Sequence, residues 1–142
     1  WGAGSVVATE AGYTMWAARR AGIARMTSMD GVAWHDRGDA LMSGDVAWEP
    51  GAASDPCVFV RGDAYEVWYV AGGLRRATST DGVHWEPTGT GLGAGPPGDW
   101  TYPAIRNVWA LPDGAGVRLW YAAGAAHMAI GETRPPGDGP PM

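Results

Sequence analysis

The sequence has no lysine, a single cysteine and a single phenylalanine, and no apolar run as long as a membrane span. With only one thiol, Cys57, no disulfide can form within the chain. The formal net charge is -5, and the ten basic residues, all arginine, form no basic run. This charge argues against nucleic acid and against an anionic membrane as partners. The sequence starts without a signal-peptide pattern, and its residues leave the compartment open.

Tryptophan, in contrast, is abundant. The 142 residues include nine tryptophans, 46% of them are hydrophobic and only 18% are charged. This composition is typical of a folded globular chain rather than of a disordered one. Nine tryptophans beside one phenylalanine indicate a few tryptophan positions that recur in a pattern.

The tryptophans mark a repeat. Trp16, Trp68 and Trp120 each lie within a short aromatic and branched segment, and they are 52 residues apart both times. Trp48 and Trp100 are also 52 residues apart, and each precedes a segment that contains a proline. Independent landmarks that keep one period predict a repeat architecture.

A turn motif follows the first two of these segments. Thr-Ser-x-Asp-Gly-x-x-Trp occupies residues 27–34 and again residues 78–85, an offset of 51 residues. In each copy the aspartate, Asp30 or Asp81, is expected to cap a turn in which glycine takes the positive φ. We interpret both aspartates as structural.

The middle unit divides into four short strands separated by turn residues. Gly72 and Gly73 predict a tight hairpin, because glycine accepts the positive φ that such turns need. The predicted strands cover residues 57–60, 65–71, 74–79 and 83–86. Four antiparallel strands in about 50 residues is the plan of a propeller blade. The sequence therefore predicts an all-β fold, a β-propeller of four-stranded antiparallel blades.

The three units are unequal. The period assigns residues 1–134 to a partial propeller, with blades at about 1–47, 48–99 and 100–134. The proline- and glycine-rich tail at 135–142 is expected to be disordered. Closed propellers have at least four blades, so three repeats cannot close a ring. We expect a fragment of a longer propeller; the alternatives are a degenerate copy and a protomer whose ring another chain completes.

Together, the Tyr-x-x-Trp-Tyr segment, the Asp-Gly turn motif and the Asp55–Pro56 pair resemble the five-bladed propeller glycosidases. That group includes arabinanases, β-xylosidases, invertases, levansucrases and mannoside phosphorylases. Sialidase-type boxes differ, because they carry a residue between the aspartate and the glycine. The resemblance implies about three blades of five, a carbohydrate ligand and no cofactor. It favours an extracellular or periplasmic location.

In the resembling enzymes the catalytic carboxylates stand at the starts of the innermost strands. Asp55 occupies such a place, and the resemblance makes it a candidate base, nucleophile or transition-state stabiliser. The alternative is that Asp55 and Pro56 merely begin a strand. We interpret Tyr102 as the counterpart of Asp55 in the third blade, where those families often carry the acid glutamate. The first blade offers only Ala3 and Gly4, so one catalytic carboxylate is visible.

Further candidates could contact a sugar. Trp48, Trp100 and Tyr102 are expected on the linkers that enter the pocket face, where aromatic rings stack on sugar rings. The alternative is that the two recurrent tryptophans fill gaps between blades. Arg75, beside a turn on the same face, could bond sugar hydroxyls or simply be exposed. His35, His84 and His127 show no ligand spacing, so no metal site is predicted.

Three functions remain open at this point. The first is a glycoside hydrolase-like propeller segment that contributes Asp55 to a carbohydrate-binding or glycosidic-bond-cleaving pocket. The second is a non-catalytic propeller module that binds carbohydrate or protein, and Tyr102 in place of a glutamate favours it. The third is a purely structural fragment.

Overall fold

The computed structural model describes residues 1–2, 4–20, 22–42, 53–124 and 129–133, and these residues form eleven β-strands in three antiparallel sheets. We call the sheets blade 1, blade 2 and blade 3. Blade 1 holds β1 (Gly4–Thr9), β2 (Gly12–Arg19), β3 (Gly22–Ser28) and β4 (His35–Met42). Blade 2 holds β5 (Ser54–Arg61), β6 (Ala64–Val70), β7 (Leu74–Ser79) and β8 (Glu86–Leu92). Blade 3 holds β9 (Ile105–Asp113), β10 (Gly116–Ala123) and β11 (Ala129–Thr133).

Strands that follow one another in the chain pair in each sheet, in the orders β1-β2-β3-β4, β5-β6-β7-β8 and β9-β10-β11. The predicted all-β fold of antiparallel sheets is thereby confirmed, with four strands each in blades 1 and 2 and three described strands in blade 3. Within the described residues, no helix has the length and hydropathy that crossing a membrane would require. The border predicted between the first two blades and the tail at 135–142 lie outside the described residues.

One predicted strand of the middle unit is wrong. The outermost strand was expected at 83–86, whereas β8 begins at Glu86 and continues to Leu92. The Asp81 carboxylate accepts hydrogen bonds from the backbone amides of Val83 and His84, both at 2.8 Å. Those bonds hold the chain in its turn, so pairing with β7 starts only at Glu86, opposite Thr78.

The two Asp-Gly turns share one hydrogen-bond pattern. In the first, Asp30 accepts the amides of Val32 and Ala33, which lower the pKa of its carboxyl. In the second, the His84 ring nitrogen lies 2.7 Å from Asp81 and, with the backbone amides, lowers the pKa of that carboxyl too. The interpretation of both aspartates as turn-capping residues is confirmed.

Two apolar cores lie between the blades. Between blades 1 and 2, Trp16 is only 1% exposed and packs against Tyr65 and Trp85, with ring centroids 5.6 and 6.0 Å away. Its indole Nε1 donates to the carbonyl of Gly82 at 3.0 Å, so a blade 1 side chain holds the blade 2 turn. Between blades 2 and 3, Trp68 belongs to the second core. The recurring tryptophan therefore joins one blade to the next.

The innermost strands also bond directly to one another. The backbone amide of Val58 donates to Ser5 Oγ at 2.9 Å, linking β5 to β1. One repeat later, the amide of Ala110 donates to Cys57 Sγ at 3.3 Å, linking β9 to β5. Burial raises the pKa of the Cys57 thiol. The same position of β1 and of β5, Ser5 and Cys57, thus anchors the next innermost strand.

The contact between Trp16 and the second Asp-Gly turn predicts a difference between two equivalent glycines. Gly82 and Gly31 have positive φ values of 72° and 76°. A Cβ on Gly82 would lie 2.9 Å from Trp16 Cζ2, whereas one on Gly31 would meet Tyr13 at 3.5 Å. Either alanine substitution should cost about 1–2 kcal/mol for the left-handed backbone. Gly82→Ala should cost about 1–3 kcal/mol more, because Trp16 is buried and cannot yield.

Urea unfolding of the two variants measures this difference. Equal losses of unfolding free energy would show that the turn does not rest on the Trp16 ring.

Candidate functional site

Asp55 lies in a bulge at the start of the innermost strand of blade 2. Ser54 pairs with Val70 and Cys57 with Trp68. Asp55 and Pro56 of β5 therefore lie opposite a single residue of β6, Tyr69. Asp55 has a φ of 49°, in the left-handed region that non-glycine residues seldom adopt. Bulges of this kind redirect a side chain and are common beside active sites.

Blade 3 repeats this bulge with a different residue. Arg106 pairs with Ala122 and Trp109 with Trp120, which leaves Asn107 and Val108 opposite one residue of β10. Asn107 has a φ of 52°, close to that of Asp55, and lies 52 residues after it. The counterpart of Asp55 is therefore Asn107.

The interpretation of Tyr102 as that counterpart is wrong. It rested on matching two residue-proline pairs, but Pro56 lies inside β5 whereas Pro103 lies before β9 begins at Ile105. The peptide between Tyr102 and Pro103 is cis. Applying the 52-residue period to Asp55 itself would have found Asn107.

A cavity of about 380 Å³ opens beside Asp55, between blades 2 and 3. Its walls come from the start of β5, the β6–β7 hairpin with Gly72 and Gly73, and residues 103–106. Asp55 is half-buried there, and Ser54 Oγ donates to its Oδ2 at 3.2 Å. Among the described lining residues Asp55 is the only carboxylate and Arg106 the only cation. The volume falls within the range of small-molecule sites.

Arg106 was not predicted from the sequence. It occupies the blade 3 position that corresponds to Ser54, and the packing of blade 3 against blade 2 brings it to the same cavity as Asp55. A carboxylate acceptor and a guanidinium donor on one cavity can bind a polyhydroxylated ligand from two sides.

Trp100 and Tyr102, two further predicted sugar-contacting residues, do not line the Asp55 cavity. Trp100 is 48% exposed and stacks on Tyr121, with ring centroids 5.8 Å apart and planes 18° apart. Burial, and to a lesser degree the Asp99 charge, raises the pKa of Tyr121. Tyr102 is exposed. Neither Trp100 nor Tyr102 is among the residues that line the Asp55 cavity.

Arg75 is half-buried, donates through Nε to the carbonyl of Ala71 at 3.3 Å, and is not among the described residues that line the cavity. Trp48 and Ala3 lie outside the described residues. Within the part of the chain that the structure describes, no three His, Cys, Asp or Glu side chains gather as metal ligands do.

Solved structures show which fold these blades belong to. An endo-arabinase from Bacteroides thetaiotaomicron has a TM-score of 0.74 at 15% identity, and the match covers 95% of this chain and 53% of that one. The GH32 β-fructofuranosidase of Bombyx mori has a TM-score of 0.74 at 14% identity, with 94% of this chain and 33% of that one covered. A family 117 glycoside hydrolase from Zobellia galactanivorans has a TM-score of 0.72 at 16% identity, with 92% and 50% covered.

The fold is that of the five-bladed propeller glycoside hydrolases. The predicted resemblance and the predicted incomplete propeller are confirmed at the level of the fold. This propeller chain spans between a third and about half of the length of the three structures named above. Its sequence matches no protein-family model and no curated protein.

Proposed function

We propose that this chain is a glycoside hydrolase-like propeller segment whose cavity beside Asp55 binds carbohydrate. The observation that carries the proposal is the placement of Asp55: a left-handed bulge at the start of an innermost strand, on a cavity of about 380 Å³. The solved structures with this fold that are named above are a glycoside hydrolase, an endo-arabinase and a β-fructofuranosidase. Their names support carbohydrate as the class of ligand.

In this proposal the two charged groups of the cavity have different tasks. The Asp55 carboxylate accepts hydrogen bonds from sugar hydroxyls, and the Arg106 guanidinium donates to ring or hydroxyl oxygens. Cleavage of a glycosidic bond needs a second carboxyl group, roughly 5–10 Å from the first. Because the described lining supplies only Asp55, the second carboxyl would come from blades outside this segment.

One exposed face supports the presence of such blades. Ser5 of β1 and Cys57 of β5 occupy corresponding positions, and each accepts a hydrogen bond from the next innermost strand. The corresponding residue of β9 is Trp109, which is 59% exposed, and Leu111 beside it is exposed as well. A further blade, upstream in the chain or from another chain, would cover this apolar face.

Asn107 favours a second candidate function, a carbohydrate-binding module without catalysis. An amide stands in blade 3 where blade 2 has its carboxylate, and an amide can bind a sugar but cannot serve as acid or base.

Calorimetric titration with arabino-, xylo- and fructo-oligosaccharides tests the proposed function. Asp55→Ala should lower the affinity for the sugar that binds by roughly 10- to 100-fold, the value of a charged hydrogen bond. Asp63→Ala is the matched control, because Asp63 is an exposed aspartate in the β5–β6 turn. No binding by any sugar, or equal affinity in the two variants, would refute the proposal.

Hydrolysis of aryl glycosides by the segment, combined with the blades that would supply the second carboxyl, separates the two candidates. Turnover that disappears in Asp55→Asn indicates an enzyme, whereas binding without turnover indicates the module.

A further inference from the structure

Three positions correspond from blade to blade near one end of the strands. Two of them follow from the 52-residue period, and the third is the residue that pairs with the recurring tryptophan. We call each set a charge triad. The triads are Thr9, Thr14 and Arg25 in blade 1; Arg61, Glu66 and Arg76 in blade 2; and Asp113, Arg118 and Glu132 in blade 3. The triads of blades 2 and 3 include an acidic residue, whereas the triad of blade 1 does not.

In blade 2 the charge triad is complete. Glu66 is only 3% exposed and accepts hydrogen bonds from Arg76 Nε at 2.9 Å, Arg61 Nε at 3.1 Å and Trp68 Nε1 at 2.9 Å. All three of these hydrogen bonds end on an ionised carboxylate, and such charge-assisted bonds are stronger than bonds between neutral groups. The carboxylate thus neutralises the guanidinium of Arg76 inside the blade.

In blade 3 the signs are reversed. Arg118 takes the position of Glu66, and its NH2 lies 3.3 Å from the carboxylate of Asp113, which takes the position of Arg61. The β10–β11 register places Glu132 opposite Trp120, where blade 2 has Arg76. In sequence, blades 2 and 3 therefore each have both basic and acidic residues at these three positions.

Blade 1 keeps the cation and lacks the anion. Arg25 is the counterpart of Arg76, but Thr14 stands where blade 2 has Glu66. Among the residues that the structure describes, no hydrogen-bond partner reaches the buried Nε of Arg25. Leaving a buried charged donor unpaired is costly, so a group that accepts its hydrogen bond would be held firmly.

In blade 1 a cavity lies beside Thr14 and Arg25, where blade 2 has the Glu66 carboxylate. It has a volume of about 620 Å³, and Thr9, Thr14 and Arg25 line it together with Arg37 and His35. Arg37 Nε donates to Thr27 Oγ1 at 2.8 Å, which holds this second guanidinium at the cavity wall. The described lining includes no aspartate or glutamate. In a chain of net charge -5, the charged side chains of this described lining are two guanidinium groups, those of Arg25 and Arg37.

The same cavity offers surfaces for a ring. Tyr13 and Tyr65 line it, and aromatic faces of this kind pack against the apolar faces of sugar rings. Its walls include the end of β1, the start of β2 and the end of β3, whereas the Asp55 cavity lies at the opposite strand ends. The two cavities are therefore separate sites.

We propose that the blade 1 cavity binds a small carboxylate-bearing molecule, a sugar acid such as a hexuronate, with Arg25 bound to the carboxylate as Arg76 is bound to Glu66. The ligand supplies the anion that the other blades encode in their own sequence. This site does not depend on Asp55 or on the proposed function of its cavity.

Calorimetric titration of the whole chain with galacturonate and with galactose tests the proposal, since the two probes differ chiefly in the carboxylate. Galacturonate should bind, galactose should bind at least 10-fold more weakly, and Arg25→Gln should reduce the galacturonate affinity roughly 10- to 100-fold. Equal binding of the two sugars, or no binding of either, would overturn the proposal. Tighter binding of inorganic phosphate than of galacturonate would overturn the choice of a carboxylate.

Thr14→Glu provides a variant that is expected to be more stable rather than less. Its carboxylate should occupy the ligand position, abolish galacturonate binding and raise the thermal unfolding midpoint by roughly 3–6 °C. Thr14→Gln, of the same shape without the charge, should leave the midpoint where it is in the parent chain. Unchanged galacturonate affinity in Thr14→Glu would contradict the assignment of the site to Arg25.

Discussion

Replacing Glu66 by alanine is expected to destabilise the chain by about 3–5 kcal/mol, the cost of removing one partner from a buried ion pair. The substitution leaves Arg76, Arg61 and the Trp68 indole without the acceptor that they share. Arg76 is largely buried, with 15% of its side chain exposed, so water would compensate only in part for the lost carboxylate. Urea unfolding followed by tryptophan fluorescence measures the change.

Two further variants separate charge from packing in this experiment. Glu10→Ala removes a glutamate from an exposed turn of blade 1 and should change the unfolding free energy by no more than about 0.5 kcal/mol. The double variant Glu66→Met with Arg76→Met removes both buried charges and should recover much of the loss. A single-variant loss no larger than that of Glu10→Ala would show that the buried cluster contributes nothing to stability.

Trp16→Ala is expected to cost a similar amount, about 3–5 kcal/mol, because it empties a large part of the core between blades 1 and 2. It also removes the indole hydrogen bond to the Gly82 carbonyl. Trp109→Ala is the matched control: it is the same substitution at a tryptophan that is 59% exposed. The control should cost less than about 1 kcal/mol.

Chemical unfolding of the two tryptophan variants tests whether the recurring tryptophan joins the blades. If Trp16→Ala and Trp109→Ala lowered the unfolding free energy equally, the inter-blade core would not be the main source of stability. The calorimetric titrations measure separately what binds in the cavity beside Asp55 and what binds in the blade 1 cavity.

The repeat made the fold predictable from the sequence. A blade buries its middle strands on both sides, so tryptophan and branched residues recur at one period, and the glycines of the turns separate the strands. The start of β8 was predicted too early, because amide bonds to Asp81 prolong the turn and a propensity argument does not include them.

The candidate site was predictable only in part. Asp55 was found because it begins an innermost strand, but its counterpart Asn107 was missed in favour of Tyr102. The 52-residue period leads from Asp55 to Asn107, and the pairing on both sides of the β-bulge in each blade confirms that these residues correspond. Arg106 was missed because the cavity forms where two blades pack, which is a property of their arrangement and not of either repeat.

The blade 1 cavity could have been found from the sequence by another route. Comparing the three repeats position by position shows Glu66 replaced by Thr14 while Arg76 is retained as Arg25. What the sequence does not contain is the burial of the Arg25 Nε and the volume of the space beside it.

The central claim is that carbohydrate binds in the cavity beside Asp55. A two-dimensional ¹H–¹⁵N NMR titration of the labelled chain, with the oligosaccharide that binds by calorimetry, tests it most directly. The largest shifts should fall on the backbone amides of Asp55, Gly72, Gly73 and Arg106, which surround this cavity. Largest shifts at Thr14 and Thr27 in the blade 1 cavity, or no shifts at all, would contradict the account.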